Sequence, residues 1–322
     1  MYDNIKILKL RFLLKAIDKI QLPEYTGSTF RGAFGYAFKN ATCIMRKERL
    51  CENCIVKLSC SYYSFFESPL PITISEDKLK FLKLSNVKKI PHPFIFEPDI
   101  KQKRILNKDD LFFFDLILFG KANEYYPYFI FSIIEMGKKG IGINRGKYVL
   151  EKVLNFVNDN ETELIFDMDS NVLSKINNYF VPLNQNITED IIKLNFITPL
   201  RLQQEGKLVN NPDFKILIIN LIRKISAMLF FHYNYDFDAD YIKHSKELIE
   251  KSGSIQTLES NLKWYSWERW SNRQKTKMNL GGLVGEISFQ GNLSPFSELI
   301  NLGKYFHVGK NTVFGLGKYL IK

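Results

Sequence analysis

The chain has 322 residues, 45% apolar and 25% charged, enough to bury a sizeable core and too evenly mixed for a disordered or fibrous protein. Its 45 Lys and Arg against 34 Asp and Glu leave a net charge of +11, which favours a polyanionic partner, nucleic acid first and an anionic membrane surface second, or else reflects a lysine-rich background. The most apolar stretch, 214–231, is broken by Asn220, Arg223 and Lys224, and Met1–Asn4 carries no basic leader, so a cytoplasmic chain without a membrane partner is expected.

Residues 6–17 alternate apolar and polar and predict a strand. A turn at Leu22-Pro23 and Thr26-Gly27 follows, and Ser28 is the expected N-cap of a helix with Phe30, Ala33, Phe34, Ala37 and Phe38 on one face. The opposite face carries Arg31, Gly35 and Lys39, with Gly32 and Tyr36 beside them. Two glycines on an exposed helix face cost about 1 kcal/mol each, so a close-fitting neighbour is expected there: an RNA backbone held by Arg31 and Lys39, or another packed element.

All four cysteines, Cys43, Cys51, Cys54 and Cys60, fall within eighteen residues. In a reducing compartment such clustering points to metal rather than disulfides, and four thiolates suit a tetrahedral Zn²⁺ or an iron–sulfur cluster with a structural role. Residues 62–66 and 90–96 then read as short strands, and His92, set between two prolines, as structural. A buried strand at 111–119 and a helix over 123–136 lead to a Gly/Lys loop with Lys138, Lys139, Arg145 and Lys147, then a strand at 148–156.

The second half opens with a strand at 192–202 and a long helix expected to be capped by Asn211-Pro212, followed by a polar helix at 240–251. A hairpin is expected from 262–270 back through 283–289, its tip bearing Arg269, Arg273, Lys275 and Lys277; its three tryptophans suit either base stacking or a core. The chain ends in G-K-Y-F-H-V-G-K-N-T-V-F-G-L-G-K-Y-L-I-K, in which Gly309, Gly315 and Gly317 alternate with lysines beside His307. Such a run is either a tight turn or a backbone nest for phosphate, and its spacing excludes a P-loop.

The middle of the chain echoes its end. Pro127 leads through a helix to Gly137, a Gly/Lys loop and G-K-Y-V-L; Pro295 leads through a helix to Gly303, a Gly/Lys loop and G-K-Y-L-I. Each half reads roughly β-α-β-β-α-β, so the expected fold is α+β with two tandem ferredoxin-like domains, 1–188 and 189–322, the first carrying a cysteine-rich insertion at 43–60.

The segment from Gly281 to Tyr319, the run L-P-E-Y-T-G-S-T-F-R-G-A-F-G-Y-A-F at 22–38 and Gly137-Lys138-Lys139-Gly140-Ile141-Gly142 together resemble the CRISPR-associated endoribonucleases of the RAMP superfamily that cut precursor CRISPR RNA within its repeats. The resemblance implies metal-independent cleavage by the substrate's own 2′-hydroxyl, leaving a 2′,3′-cyclic phosphate and a 5′-hydroxyl. It also implies the repeat RNA as partner, with other CRISPR effector subunits as further partners; monomer and homodimer both remain compatible. His307 and Lys310 are one candidate catalytic pair. Tyr36 and Lys39 are the other, because many relatives carry their histidine near the first helix and this chain has none before His92. Arg31, the two cationic loops and Gly309, Gly315 and Gly317 are the expected RNA contacts. The alternative is a RAMP subunit that binds CRISPR RNA without cutting it.

Overall fold

The computed structural model describes residues 5–45, 50–70, 74–82, 89–182, 186–271 and 276–322. The chain forms two compact units, one of Lys6–Ile74 with Asn86–Val181, the other of Pro182–Lys322 with Met1–Ile5 and Ser75–Ser85. Among the described residues no helix is long and apolar enough to cross a membrane.

The first unit runs β1 (Ile7–Ala16), α1 (Gly27–Thr42), β2 (Phe94–Pro98), β3 (Leu111–Phe119), α2 (Tyr126–Lys139) and β4 (Tyr148–Phe156). Its antiparallel sheet has the order β2-β3-β1-β4, extended by Thr162–Asp167 and Val172–Leu173. That order is the ferredoxin-like one. The alternation in β1 sends Leu8, Leu10, Phe12 and Leu14 into the core, where Phe30, Phe34 and Phe38 of α1 meet Phe96, Phe114 and Phe129. Phe34 lies 5.0 Å from Phe129 and 5.1 Å from Phe96 between ring centroids, and Phe30 4.8 Å from Phe114. On the sheet's other face Arg11 donates through Nε and Nη2 to both carboxylate oxygens of its cross-strand partner Asp115, at 2.8 and 2.9 Å. The hydrogen bond to this nearly buried carboxylate raises the Arg11 guanidinium above its ordinary value.

The second unit repeats the plan: β5 (Ile191–Leu200), α3 (Phe214–His232), α4 (Ala239–Lys251), β6 (Gln256–Ser260), β7 (Gly282–Gln290), α5 (Ser297–Phe306) and β8 (Tyr319–Ile321), with strand order β6-β7-β5-β8. The extra helix α4 interrupts it, and the short helix Glu76–Phe81 joins this unit, its Phe81 ring 5.7 Å from Phe237 and 6.2 Å from Tyr241.

Three local expectations change. Thr26, not Ser28, occupies the N-cap of α1, without a side-chain bond, and Ser28 sits inside the first turn. Asp213, not Asn211-Pro212, caps α3, its carboxylate accepting from the Ile216 N–H at 2.7 Å. Residues 63–67 form a π-helical turn instead of a strand, because Phe65 and Phe66 turn inward onto Phe38 and Phe34; packing overrides the strand preference of aromatic residues.

Each unit closes with a tyrosine driven against a helix glycine. Tyr148 packs on Gly137 and donates to the Ile133 carbonyl at 2.8 Å; Tyr319 packs on Gly303 and donates to the Ile300 carbonyl at 2.6 Å. A Cβ at either glycine would collide with the tyrosine. Burial raises both phenols above their ordinary values. Lys224 on α3 reaches Thr312 of the terminal loop, Nζ donating to Oγ1 at 2.9 Å, and burial lowers its ammonium to about 7.

Two outcomes follow from this packing. Gly317 has φ +75° and its Cβ would overlap the Val308 carbonyl, whereas the helical Gly32 has nothing within 4 Å of a Cβ. Gly317→Ala is therefore expected to lose about 2 kcal/mol or more and Gly32→Ala to gain about 0.5–1 kcal/mol in urea unfolding; equal effects would contradict the geometry. For Lys224, the unfolded chain keeps the proton up to the ordinary 10.5 while the native state releases it near 7, so the unfolded state binds more protons between those values and stability rises with pH there. The stability of Lys224→Met relative to wild type is expected to be most favourable below pH 7 and to decline towards pH 10, read from paired melting curves; a pH-independent difference would place the ammonium in solvent.

Candidate functional site

Helix α1 presents a mixed face. Gly35 is buried, and a Cβ there would stand 2.9 Å from the Phe66 ring. Arg31 lies over that ring at 5.0 Å, and Lys39 over Tyr62 at 5.3 Å. Of the two occupants expected for this face, the protein's own aromatic turn is the one in place at Gly35. The Arg31 Nη2 also stands 3.4 Å from Nε2 of His92. The His92 Nδ1 must carry its proton, because it lies 2.8 Å from the Phe65 carbonyl, which can only accept; the ring is wedged between Phe66 and Phe94. Beside this packed strip Gly32 and Asn40 are exposed, and Tyr36 is 66% exposed. Tyr36 and Asn40 are thus outward-facing polar groups of α1, Tyr36 flanked by the half-exposed cations Arg31 and Lys39.

The last turn of α2 and the loop after it keep their cations in solvent. Lys138, Lys139, Arg145 and Lys147 are all exposed, Lys138 paired with Glu135 at 2.6 Å. The glycines between them serve close packing: Gly142 lies against the Gln21 carbonyl, and the Ile143 N–H donates to that carbonyl at 2.8 Å. Asn144 pins the loop further, its Oδ1 accepting from the Gln21 N–H at 2.9 Å and its Nδ2 donating to the Lys19 carbonyl at 2.6 Å. The outcome is a rigid ledge with four cationic side chains on it.

The terminal loop departs from the expected phosphate nest. The Gly315 N–H donates to Thr312 at 2.7 Å, that of Gly317 to Pro199 at 3.1 Å, that of Val308 to Gly317 at 3.1 Å and that of Lys310 to Arg201 at 3.0 Å. Gly315 and Gly317 are buried, so their amides serve the fold and are not RNA contacts in this geometry; Gly309, at φ +90°, packs on the Arg201 carbonyl and is half-exposed. His307 is 0% exposed, with φ +55° and Nδ1 3.1 Å from the Leu316 carbonyl. The ring is seated against the terminal loop and is not presented at the surface in this geometry. Lys310 alone of that pair is exposed.

Arg201 is a residue that sequence reasoning misses. It follows β5, donates from Nη1 to the Gly281 carbonyl, and offers its own carbonyl to Lys310, so it ties the terminal loop to the start of β7. Burial lowers its guanidinium below the ordinary value. Nothing local in T-P-L-R marks it; only the fold brings 201, 281 and 310 together.

The hairpin forms, with Lys263–Tyr265 paired to β7 and Glu268–Ser271 to Thr276–Asn279. Trp267 is buried and Trp264 partly exposed. Arg273 and Lys275 lie outside the described residues, as do the side chains of Arg269, Trp270 and Lys277. In the cysteine segment, Cys43, Cys51, Cys54 and Cys60 border a single small hollow with Lys57, Tyr62 and Tyr63. Among the described residues no three His, Cys, Asp or Glu side chains stand as a ready-made cage for one ion, so the expected metal site is not preformed.

Comparison with known proteins accords with this topology. Over the full chain it is 23% identical to an uncharacterized protein of Archaeoglobus fulgidus, covering all of both sequences. Its fold is similar to that of Thermus thermophilus Cas6 (TM-score 0.53, 13% identity, 99% of each chain). It is also similar to a Cas6 product complex (TM-score 0.56, 12% identity, 98% of this chain and 99% of that one) and to a chain of a partial Cas6-RT-Cas1–Cas2 complex (TM-score 0.52, 12% identity, 99% of this chain and 46% of that one). Residues 5–178 match the AF_1859_N N-terminal domain and residues 194–319 the CRISPR-associated endoribonuclease Cas6. The C-terminal part of the chain, residues 194–319, thus matches the family of the CRISPR-associated endoribonuclease Cas6, and both units have the ferredoxin-like strand order.

Proposed function

We propose that this protein cleaves precursor CRISPR RNA within its repeats, the 2′-hydroxyl before the scissile phosphate attacking phosphorus and displacing the 5′-oxygen, to leave a 2′,3′-cyclic phosphate and a 5′-hydroxyl. The match of residues 194–319 to the Cas6 endoribonuclease carries this reading. The nucleophile belongs to the substrate, so the protein aligns it, moves protons and offsets charge. The exposed Tyr36 supplies proton transfer, with Arg31 and Lys39 beside it for the phosphate charge; Lys310, exposed on the terminal loop, is a further cation for the RNA. Lys138, Lys139, Arg145 and Lys147 hold the repeat through its backbone, since A-form RNA is read mostly by shape and phosphate. His307 acts indirectly, by seating the loop that carries Lys310. No metal is needed at the reacting phosphate, and a metal on Cys43, Cys51, Cys54 and Cys60, zinc or an iron–sulfur cluster, is structural, because four protein ligands leave no open position. Partnership with other CRISPR proteins belongs to the same reading.

A second reading has an observation of its own. With His307 enclosed and no histidine on α1, the chain could bind CRISPR RNA as a RAMP subunit without cutting it.

Cleavage of a cognate repeat RNA in excess EDTA separates the two. Wild type is expected to cut, and a 2′-deoxy substitution before the scissile phosphate to abolish cutting; tight binding with no cleavage would select the second reading. Tyr36→Phe is expected to slow single-turnover cleavage by about 100-fold or more with binding retained, while His307→Ala lowers the melting temperature. Neutralising Lys138, Lys139, Arg145 and Lys147 is expected to weaken binding and reduce the slope of log K against log salt by about 0.7–0.9 for each phosphate left without its cation. An unchanged slope would move the RNA off this ledge.

A further inference from the structure

The segment that carries the cysteines lacks what holds the rest of the fold. Its two 3-10 turns, Cys51–Asn53 and Lys57–Ser59, contain no buried residue. Leu50, Ile55 and Leu58 are 64%, 84% and 91% exposed. Ordering backbone costs about 1–2 kcal/mol per residue, and this lobe buries no apolar side chain in its turns to offset that cost. Yet it is wound tightly: the N–H of Cys54 donates to Cys51 at 3.2 Å, that of Lys57 to Cys54 at 3.2 Å, that of Ser59 to Val56 at 3.1 Å and that of Cys60 to Lys57 at 3.3 Å. The four thiols are free of disulfides and all border the one hollow.

We infer that Cys43, Cys51, Cys54 and Cys60 bind a single zinc ion as a tetrathiolate, and that this ion is the missing core of the lobe. Soft thiolates in fourfold number suit either zinc in closed tetrahedral geometry or an iron–sulfur cluster; the small size of the hollow favours the single ion, and the Cys51–Cys54 turn has the C-x2-C spacing that places two sulfurs on one ion. The thiols line the hollow without closing it into a cage, and binding would draw them together in a lobe whose turns bury no side chain. On binding, four thiols release their protons to solvent and the four sulfurs each donate a lone pair to Zn²⁺. The resulting charge of −2 has cations at hand in Lys57, which borders the hollow, and Lys39, near Cys51.

The ion would reinforce a contact that α1 and the aromatic turn already make. Cys43 ends α1, its N–H donating to Lys39 at 2.9 Å; Cys60 begins the aromatic turn, its carbonyl accepting from the Ser64 N–H at 3.0 Å. Phe66 of that turn covers Gly35 and underlies Arg31. Zinc therefore clamps the end of α1 to the turn that packs on its face. This goes beyond the RNA-cleavage reading and is tested without it.

The test is metal analysis of the full chain purified under reducing conditions from medium holding both zinc and iron, with thiol alkylation, limited proteolysis and cobalt substitution. Expected are one zinc per chain, four thiols shielded until a strong chelator is added, a thiolate-to-cobalt charge-transfer band with intense tetrahedral d–d bands, and new cleavage within 43–60 once the ion is stripped. Cys54→Ser with Cys60→Ser is expected to lose the metal while far-UV circular dichroism stays near that of wild type. Should that variant fail to fold, chelator stripping of wild type gives the same readouts. Iron with sulfide absorption, two disulfides in the unreduced mass, or a metal-free chain whose four thiols react at once would each overturn the inference.

Discussion

The contact on which both units rest is the approach of a tyrosine ring to a helix glycine. Tyr148 on Gly137 and Tyr319 on Gly303 bring the last strand of each ferredoxin-like sheet to its second helix at a distance no side chain on that helix would allow. The phenol then uses its one donor on a helix carbonyl, so the ring is fixed in rotation as well as depth. Between helix and strand the chain must turn in little space, and the glycines of the two Gly/Lys loops answer that requirement before any demand from a ligand. The lysines and arginines on those loops inherit a rigid base.

That order of causes explains which parts of the site could be read from the sequence. Phe30, Phe34 and Phe38 at helical spacing and the alternation in β1 report burial directly, because one face of an element either meets the core or does not. The duplicated G-K-Y with its upstream proline and glycine is equally legible, since it records the same steric solution twice. The meaning of the glycine-rich terminus is not, because a backbone nest for anions and a tight internal turn draw on the same residues; only the partners of the Gly315 and Gly317 amides distinguish them. Likewise nothing in the sequence around His307 reports that its ring is buried with Nδ1 against the Leu316 carbonyl. Arg201, Lys224 and the aromatic turn at 63–67 depend on contacts between residues far apart in the chain, which no local pattern encodes.

The cationic surface sorts in the same way. The RNA contacts proposed at the two Gly/Lys segments are cations whose heads are left in water: Lys138 and Lys139 in the last turn of α2, Arg145 and Lys147 in the loop after it, and Lys310 on the terminal loop. Arg11 is committed to Asp115, and Lys224 donates to Thr312, so both are engaged within the fold. Net charge alone therefore overstates the polyanion-binding surface.

The short helix Glu76–Phe81 has a consequence for biosynthesis. It emerges between α1 and β2, yet its Phe81 packs on Phe237 and Tyr241, about 160 residues later in the chain. A ribosome delivering residues in order will present this helix long before its aromatic partners exist. The first unit must complete its sheet around a loop whose apex is still waiting, and Phe81 stays a sticky end until the second unit is made. No single cut in the chain can therefore release both units with their cores whole: a fragment ending near 181 carries the Phe81 ring without its partners, and its complement lacks that ring.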